Sequence, residues 1–107
     1  MTTFDDRERA FETKFAHDEE MKFRVIARRN KLLGMWAAAQ MGLSEAEADA
    51  YAKDVVRADF EEAGDEDVIR KVLGDLVAAG CDVDQARVRA ALEEKAVEAR
   101  RQLMGES

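Results

Sequence analysis

One uninterrupted stretch decides the fold of this 107-residue chain: residues 3–42 read TFDDRERAFETKFAHDEEMKFRVIARRNKLLGMWAAAQMG. The stretch contains no Pro and ends at Gly42, a residue type at which helices commonly stop, so it predicts one long α-helix. Phe4, Phe11 and Phe15 fall on one face of that helix, because an α-helix turns by about 100° per residue. We call this row of three rings the aromatic seam.

The two halves of the predicted helix differ in composition. The first half carries the aromatic seam on an otherwise charged surface, which gives it enough apolar area to dock on a partner but too little to be buried. From the residues alone, packing of the seam on the chain's own bundle is an equal alternative. The second half is apolar on nearly every side and is expected to form the spine of a core; its apolar residues are Leu32, Leu33, Met35, Trp36, Ala37, Ala38, Ala39 and Met41.

Three further helices are predicted downstream of this one, and Gly80 is expected to end the second of these, the third helix of the chain. Ser44 and Glu47 have the spacing of a capping box at the start of the second helix. Asp65 is expected to cap the third helix and Asp84 the fourth, since Asp is a favoured N-cap residue. Gly74 lies inside the third helix, where close approach of a neighbouring helix is expected to offset its low helix propensity.

Four helices joined by short connections predict an all-α protein, a compact four-helix bundle with a long N-terminal helix. The length fits a single domain spanning residues 1–107. Residues 1–19 are expected to be mobile, because a terminal segment without tertiary anchors frays. Residues 20–107 would then form the helical scaffold.

The composition disfavours several classes of function. The chain has 24 acidic and 17 basic residues and a formal net charge of −7, which opposes binding to nucleic acids and to anionic membranes. The single cysteine, Cys81, excludes an internal disulfide and a cysteine metal cluster. No stretch is apolar enough to insert into a membrane, and the N-terminus is acidic where a signal peptide is basic. We therefore predict a cytoplasmic protein.

The charged clusters do not have the arrangement of a catalytic or metal site. The run Asp65, Glu66 and Asp67 lacks the alternating ligands of a calcium loop, and acidic residues at a helix start explain it better. Cys81 has no base placed to activate it, and no Gly-rich phosphate loop is present. We predict that the chain is not an enzyme and uses no catalytic residue, metal or cofactor.

Two features have alternative interpretations. His17 is the one histidine, and because its side chain titrates near neutral pH it is a candidate pH-sensitive residue, the alternative being a solvated side chain. The second feature is a basic run, which consists of Arg24, Arg28, Arg29 and Lys31. It is predicted to be a solvated face or a contact for an acidic protein. RNA contact is a further alternative, which the acidic net charge of the chain opposes.

Several motifs along the chain resemble a known family. They are FDDRERAFE (4–12), KFAHD (14–18), ARRNKLLG (27–34), WAA (36–38) and DFEEAGD (59–65). These motifs are similar to those of the zeta subunit of the α-proteobacterial F1-ATPase, and the similarity covers the whole chain. The two N-terminal motifs are the specific ones, whereas the last two helices match by pattern.

The resemblance implies an inhibitor of ATP hydrolysis by the rotary ATP synthase that spares synthesis and so acts as a unidirectional pawl. In that family the mobile N-terminal segment enters a catalytic α/β interface and becomes ordered beside the central stalk. The implied partners are the α, β and γ subunits of F1-ATPase, and the implied location is peripheral to the inner membrane through the ATP synthase.

Carried over to this sequence, the inhibitory segment runs from Thr2 to about Glu19. The residues expected to bind the partner are Thr2, Thr3, Phe4, Asp5, Asp6, Arg7, Glu8, Arg9, Phe11, Glu12, Lys14 and Phe15. The alternative function is a helical regulatory module that senses a small ligand or a nucleotide inside the bundle.

Overall fold

The computed structural model describes the backbone of residues 3–61 and 65–103 and the side chains of residues 20–58 and 65–103. Its elements are the helices α1 (Thr3–Met41), α2 (Glu45–Glu61), α3 (Asp65–Ala78) and α4 (Gln85–Leu103). Helix α1 packs against the other three, and no strand occurs in the described ranges. The predicted all-α, four-helix architecture is confirmed. The side chains of residues 1–19 lie outside the described ones, so the expected mobility of this segment stays a prediction.

The second half of α1 forms the spine of the core, as its composition predicts. Leu33, Ala37 and Ala38 are fully buried, and Trp36 packs against the core from its edge. Met35 is 40% exposed, so the outer side of this half faces solvent although its residues are apolar. The core also takes residues from the other three helices, namely Val55, Val68, Ile69, Val72, Leu76, Val88, Ala91 and Leu92.

Glycines end α1 and α3 in the same way. Gly42 follows α1 with a φ of 72°, a left-handed conformation that a residue without a Cβ adopts without strain. The N–H of Leu43 then donates a hydrogen bond to the carbonyl oxygen of Ala38 at 3.0 Å. This pattern is a Schellman motif, and it recurs after α3 at Gly80, whose φ is 85°. Both stops lie where the sequence predicts them.

The helix starts follow the predicted caps at two of three places. The N–H of Glu47 donates to Ser44 Oγ at 3.2 Å, and the N–H of Ser44 donates to Glu47 Oε1 at 2.9 Å. These bonds hold the pKa of Glu47 below its usual value, the backbone N–H of Ser44 contributing most. Asp84 caps α4 by accepting the N–H of Arg87 at 2.9 Å. Asp65 is instead the first residue of α3, so its prediction as the N-cap is wrong.

Helices α2 and α3 are joined by a polar contact at the edge of the core. The hydroxyl of Tyr51 donates to Asp75 Oδ2 at 2.8 Å, and Lys71 Nζ lies 3.2 Å from the same oxygen. Lys71 also lies over the tyrosine ring, 5.4 Å from its centroid. Burial and then the hydrogen bond to Asp75 raise the pKa of Tyr51, so the phenol stays protonated and keeps donating.

The close approach between helices occurs at Gly34 and not at Gly74, where it was predicted. A Cβ built on Gly34 would lie 2.7 Å from the Cα of Ala52 and 3.2 Å from Cγ2 of Val55. Helices α1 and α2 therefore cross with their backbones in contact at this residue. A Cβ built on Gly74 meets no atom within 4 Å, so the packing explanation for that glycine is wrong.

We predict opposite effects of alanine at these two helical glycines. Gly34→Ala forces α1 and α2 apart, and overpacking of this kind lowers the free energy of unfolding by about 1–3 kcal/mol. Gly74→Ala adds a methyl group in open space and gains helix propensity, which raises the free energy by up to about 1 kcal/mol. Urea denaturation followed by circular dichroism measures both. Equal stability of the two variants would contradict the close contact at Gly34.

Candidate functional site

The residues predicted to bind the partner fall in the first half of α1. Thr2 lies outside the described residues. Residues 3–15 belong to the helical backbone of α1, but their side chains lie outside the described ones, and so does that of His17. The roles assigned to these residues therefore stay predictions. The structure describes in full the half of α1 that holds this segment to the bundle.

That half of α1 is held by contacts with α2 on one side and α4 on the other. Gly34 meets α2 at Ala52, as described above. Towards α4, the guanidinium of Arg87 lies over the ring of Trp36, 4.9 Å from its centroid, a cation–π contact that adds about 0.5–1 kcal/mol at a partly exposed site. Cys81, after α3, donates its thiol to the carbonyl oxygen of Gln40 at 3.3 Å.

The acidic cluster at the start of α3 is paired with arginines from three helices. Asp65 lies 3.0 Å from Arg29 of α1. Glu66 accepts two bonds from Arg89 of α4, at 2.6 and 2.8 Å. Asp67 binds Arg70 of α3, at 3.4 Å. Asp65 and Glu66 thus connect α3 to α1 and α4. Among the described residues, no group of three or more His, Cys, Asp or Glu side chains has the arrangement of a metal site.

Arg29 departs from the solvated face that was predicted for the basic run. It is only 8% exposed, and its Nε donates to Asn30 Oδ1 at 3.0 Å. Its Nη2 faces the Asp65 carboxylate without the alignment of a hydrogen bond. Asn30 is fully buried, and its Nδ2 has no hydrogen-bond partner among the described residues. Arg29 is therefore a structural cation inside the bundle, and for this residue the prediction is wrong.

The remaining cations of the basic run border a groove on one flank of α1. The α1–α2 groove has a volume of about 380 Å³ and is lined by Arg24, Ala27, Arg28, Lys31, Val56 and Leu103. Helical spacing places the four α1 residues of this set on one side of the helix. Val56 belongs to α2 and Leu103 to the end of α4, so the groove lies where both of these helices approach α1.

A second groove follows the other flank of α1. The α1–α4 groove has a volume of about 360 Å³ and is lined by Met21, Lys22, Val25, Ile26, Arg29, Ala96 and Arg100. Its walls are mostly aliphatic, and its charged residues are all basic. Sequence reasoning missed this groove, because Arg100 is 69 residues beyond Lys31, the last residue of the basic run, and only the packing of α4 along α1 brings it there.

We predict that the pairing of Arg29 makes Asp65 more important for stability than its neighbour Asp67. Asp65→Asn leaves a buried guanidinium without its counter-charge, at a cost of about 1–3 kcal/mol, less than for a fully buried pair because Asp65 is 57% exposed. Asp67→Asn is the matched control in the same helical turn. It loses a pair within α3 whose arginine, Arg70, is 78% exposed, and such a pair is worth about 0–1 kcal/mol. Thermal and urea unfolding of the two variants measure the difference. Equal losses would show that the burial of Arg29 has no energetic consequence.

The chain is similar to known proteins over most of its length. The family model described as ATPase inhibitor subunit zeta matches residues 1–102. A protein solved by solution NMR is 54% identical in sequence, with a TM-score of 0.71; the match covers 81% of this chain and 99% of that one. No curated protein gives a significant match. None of the described helices combines the length and the hydropathy of a membrane span.

Proposed function

The chain belongs to the ATPase inhibitor subunit zeta family, and we propose that it blocks ATP hydrolysis by inserting residues 2–19 at a catalytic α/β interface of F1-ATPase. The family is one of regulatory, non-catalytic proteins, so the chain is an inhibitor and F1-ATPase is its partner. Contact with γ, the central stalk, makes the block a pawl that stops hydrolysis and permits synthesis.

The observation that supports this assignment is the continuity of α1. This helix has 39 residues, whereas α4 has 19 and α2 has 17. At 1.5 Å per residue, α1 is about 58 Å long and α4 about 29 Å. Leu103, at the end of α4, lies in one groove with Arg24. Helix α2 meets Gly34 at Ala52 and ends nine residues later, at Glu61, which is about 14 Å of helix. Residue 19 is about 22 Å from Gly34 along α1, so neither helix is long enough to run alongside residues 3–19. The first half of α1 therefore needs a packing partner from outside these two helices.

The aromatic seam supplies the anchors for such a partner. A segment that orders on binding loses about 2–5 kcal/mol of the gross interaction energy, so it needs a few contacts that recover this cost. Buried aromatic residues commonly provide most of the binding energy of an interface, and Phe4, Phe11 and Phe15 are spaced along one face. The charges of residues 5–9 would set the register and the rate of encounter.

The anchored half of α1 has its own role in this mechanism. Leu33, Ala37 and Ala38 are buried in the core and hold α1 in one orientation. Because the inhibitory segment continues the same helix, the bundle limits the directions in which the segment leaves. Such pre-organisation lowers the entropic cost of binding. In this mechanism the bundle positions the segment, and the segment blocks the enzyme.

We predict that deletion of residues 2–15 separates folding from inhibition. The truncated protein keeps the helical bundle, because every described core residue lies at or beyond Leu33, and it loses inhibition because the anchors are gone. A steady-state ATPase assay on F1 with full-length and truncated protein tests this, with circular dichroism as the folding control. Full-strength inhibition by the truncated protein would refute the assignment of the segment.

We also predict that single alanine substitutions in the aromatic seam weaken inhibition without weakening the fold. Phe11→Ala and Phe15→Ala are each expected to raise the half-inhibitory concentration about 10–100-fold, the range for loss of an aromatic interface anchor. Val77→Ala is the control, since it removes a large apolar side chain that is 57% exposed on α3. Melting temperatures should be equal in all three variants. A parallel drop in the melting temperature of the Phe variants would place the seam in the core instead.

A further inference from the structure

We propose that the two grooves flanking α1 form a second docking surface, which binds an acidic segment of F1-ATPase and holds the bundle on the enzyme. This inference rests on the proposed function only for the identity of the partner. The surface itself is defined by described residues. It lies on the scaffold, outside the inhibitory segment, and it combines basic rims with aliphatic floors.

The first observation is the sign of the charges that line the grooves. Six cations line the two grooves: Lys22, Arg24, Arg28, Arg29, Lys31 and Arg100. No carboxylate is among the lining residues of either groove, although acidic residues outnumber basic ones by 24 to 17 in the chain. Positive charge is therefore concentrated along the two flanks of α1, although the protein as a whole is acidic.

The second observation is that four of these cations lack a counter-charge within the bundle. Arg24 pairs with Glu20, and Arg29 pairs with Asp65. Among the described side chains, no carboxylate lies within ion-pair distance of the other four, which are Lys22, Arg28, Lys31 and Arg100. Elsewhere most lysines and arginines of the described part are paired, as Arg89 is with Glu66. These four cations are therefore available to pair with acidic groups of another molecule.

The lining of the grooves favours a protein over a nucleic acid or a membrane. Their floors are aliphatic, with Val25, Ile26 and Ala96 in one groove and Ala27 and Val56 in the other. Recessed aliphatic floors between basic rims fit a protruding helix or loop that carries both aliphatic and acidic side chains. Single-stranded RNA would need aromatic platforms for its bases, and no aromatic residue lines either groove. The net charge of −7 would also repel an anionic membrane.

The position of the surface on α1 identifies the enzyme that binds it. Lys22 is seven residues after Phe15, a distance of about 10 Å along the helix. A partner that holds the inhibitory segment is therefore within reach of the grooves. Two contacts joined by one helix make the second binding event intramolecular, which increases the overall affinity without strengthening either contact. The acidic segment would accordingly belong to the same F1-ATPase.

Charge reversal in the α1–α2 groove tests the surface in the full-length protein. Arg28→Glu with Lys31→Glu is expected to raise the half-inhibitory concentration for F1 ATP hydrolysis at least tenfold, while inhibition at saturation stays complete. Lys53→Glu with Arg70→Glu is the matched control: it changes the net charge equally, at exposed residues on α2 and α3. We expect less than a twofold effect from the control. Added salt should weaken the wild type more than the Arg28/Lys31 variant.

A second double variant is used if the first one does not fold. If Arg28→Glu with Lys31→Glu lowers the helical content, Lys22→Glu with Arg100→Glu reverses charges in the other groove and is expected to give the same rise. Equal inhibition by a folded groove variant and the control would overturn this inference and leave the proposed function intact. Failure of the wild type to inhibit would refute the proposed function instead.

Direct binding measurements address the two other classes of partner. Vesicles of anionic phospholipid and a single-stranded RNA are mixed with the wild type and the Arg28/Lys31 variant. We expect neither probe to bind the wild type at physiological salt. Binding that is lost in the groove variant, while its inhibition of F1 is unchanged, would assign the surface to lipid or RNA and overturn the inference.

Discussion

The contact between Gly34 and Ala52 is the constraint on which the rest of the bundle depends. With no side chain at residue 34, α1 and α2 approach until their backbones touch, and this approach buries Leu33 and Val55 completely. It also fixes the rotation of α1 about its own axis. Once Leu33 and Ala37 point into the core, helical spacing places Arg24 and Arg28 on one flank of α1. The two grooves are thus a consequence of how α1 packs on α2 and α4.

Electrostatic contacts have two different uses in this molecule. The three carboxylates at the start of α3 are matched by arginines from three helices, and most of these pairs are exposed enough that each contributes little to stability. Two of the pairs, Asp65 with Arg29 and Glu66 with Arg89, connect α3 to α1 and to α4. The cations of the grooves have no such role in the bundle, with the exception of the buried Arg29. This division agrees with a scaffold that is stabilised by its core and recognised by its charge.

The sequence predicted those features that depend on neighbours along the chain. Helix ends at Gly42 and Gly80 and the capping box of Ser44 and Glu47 are local patterns, and the structure confirms them. The importance of Gly34 and the burial of Arg29 depend on which helix lies opposite, and this information is spread over distant residues. Gly34 and Gly74 look alike within their own helices, so only the packing distinguishes them. The partner-binding residues of the first half of α1 were predicted from an aromatic pattern and a family resemblance, and they remain predictions.

Trp36 has a practical consequence for following this protein in solution. It is the one tryptophan of the chain, and it sits between α1 and α4 under the guanidinium of Arg87. Its fluorescence therefore reports on the integrity of the α1–α4 contact. Phe15 precedes it by twenty-one residues, or about 31 Å of helix, so partner binding at the proposed inhibitory segment leaves the emission of this indole unchanged unless the bundle itself opens. The chain thus contains an intrinsic fluorophore that responds to opening of the scaffold.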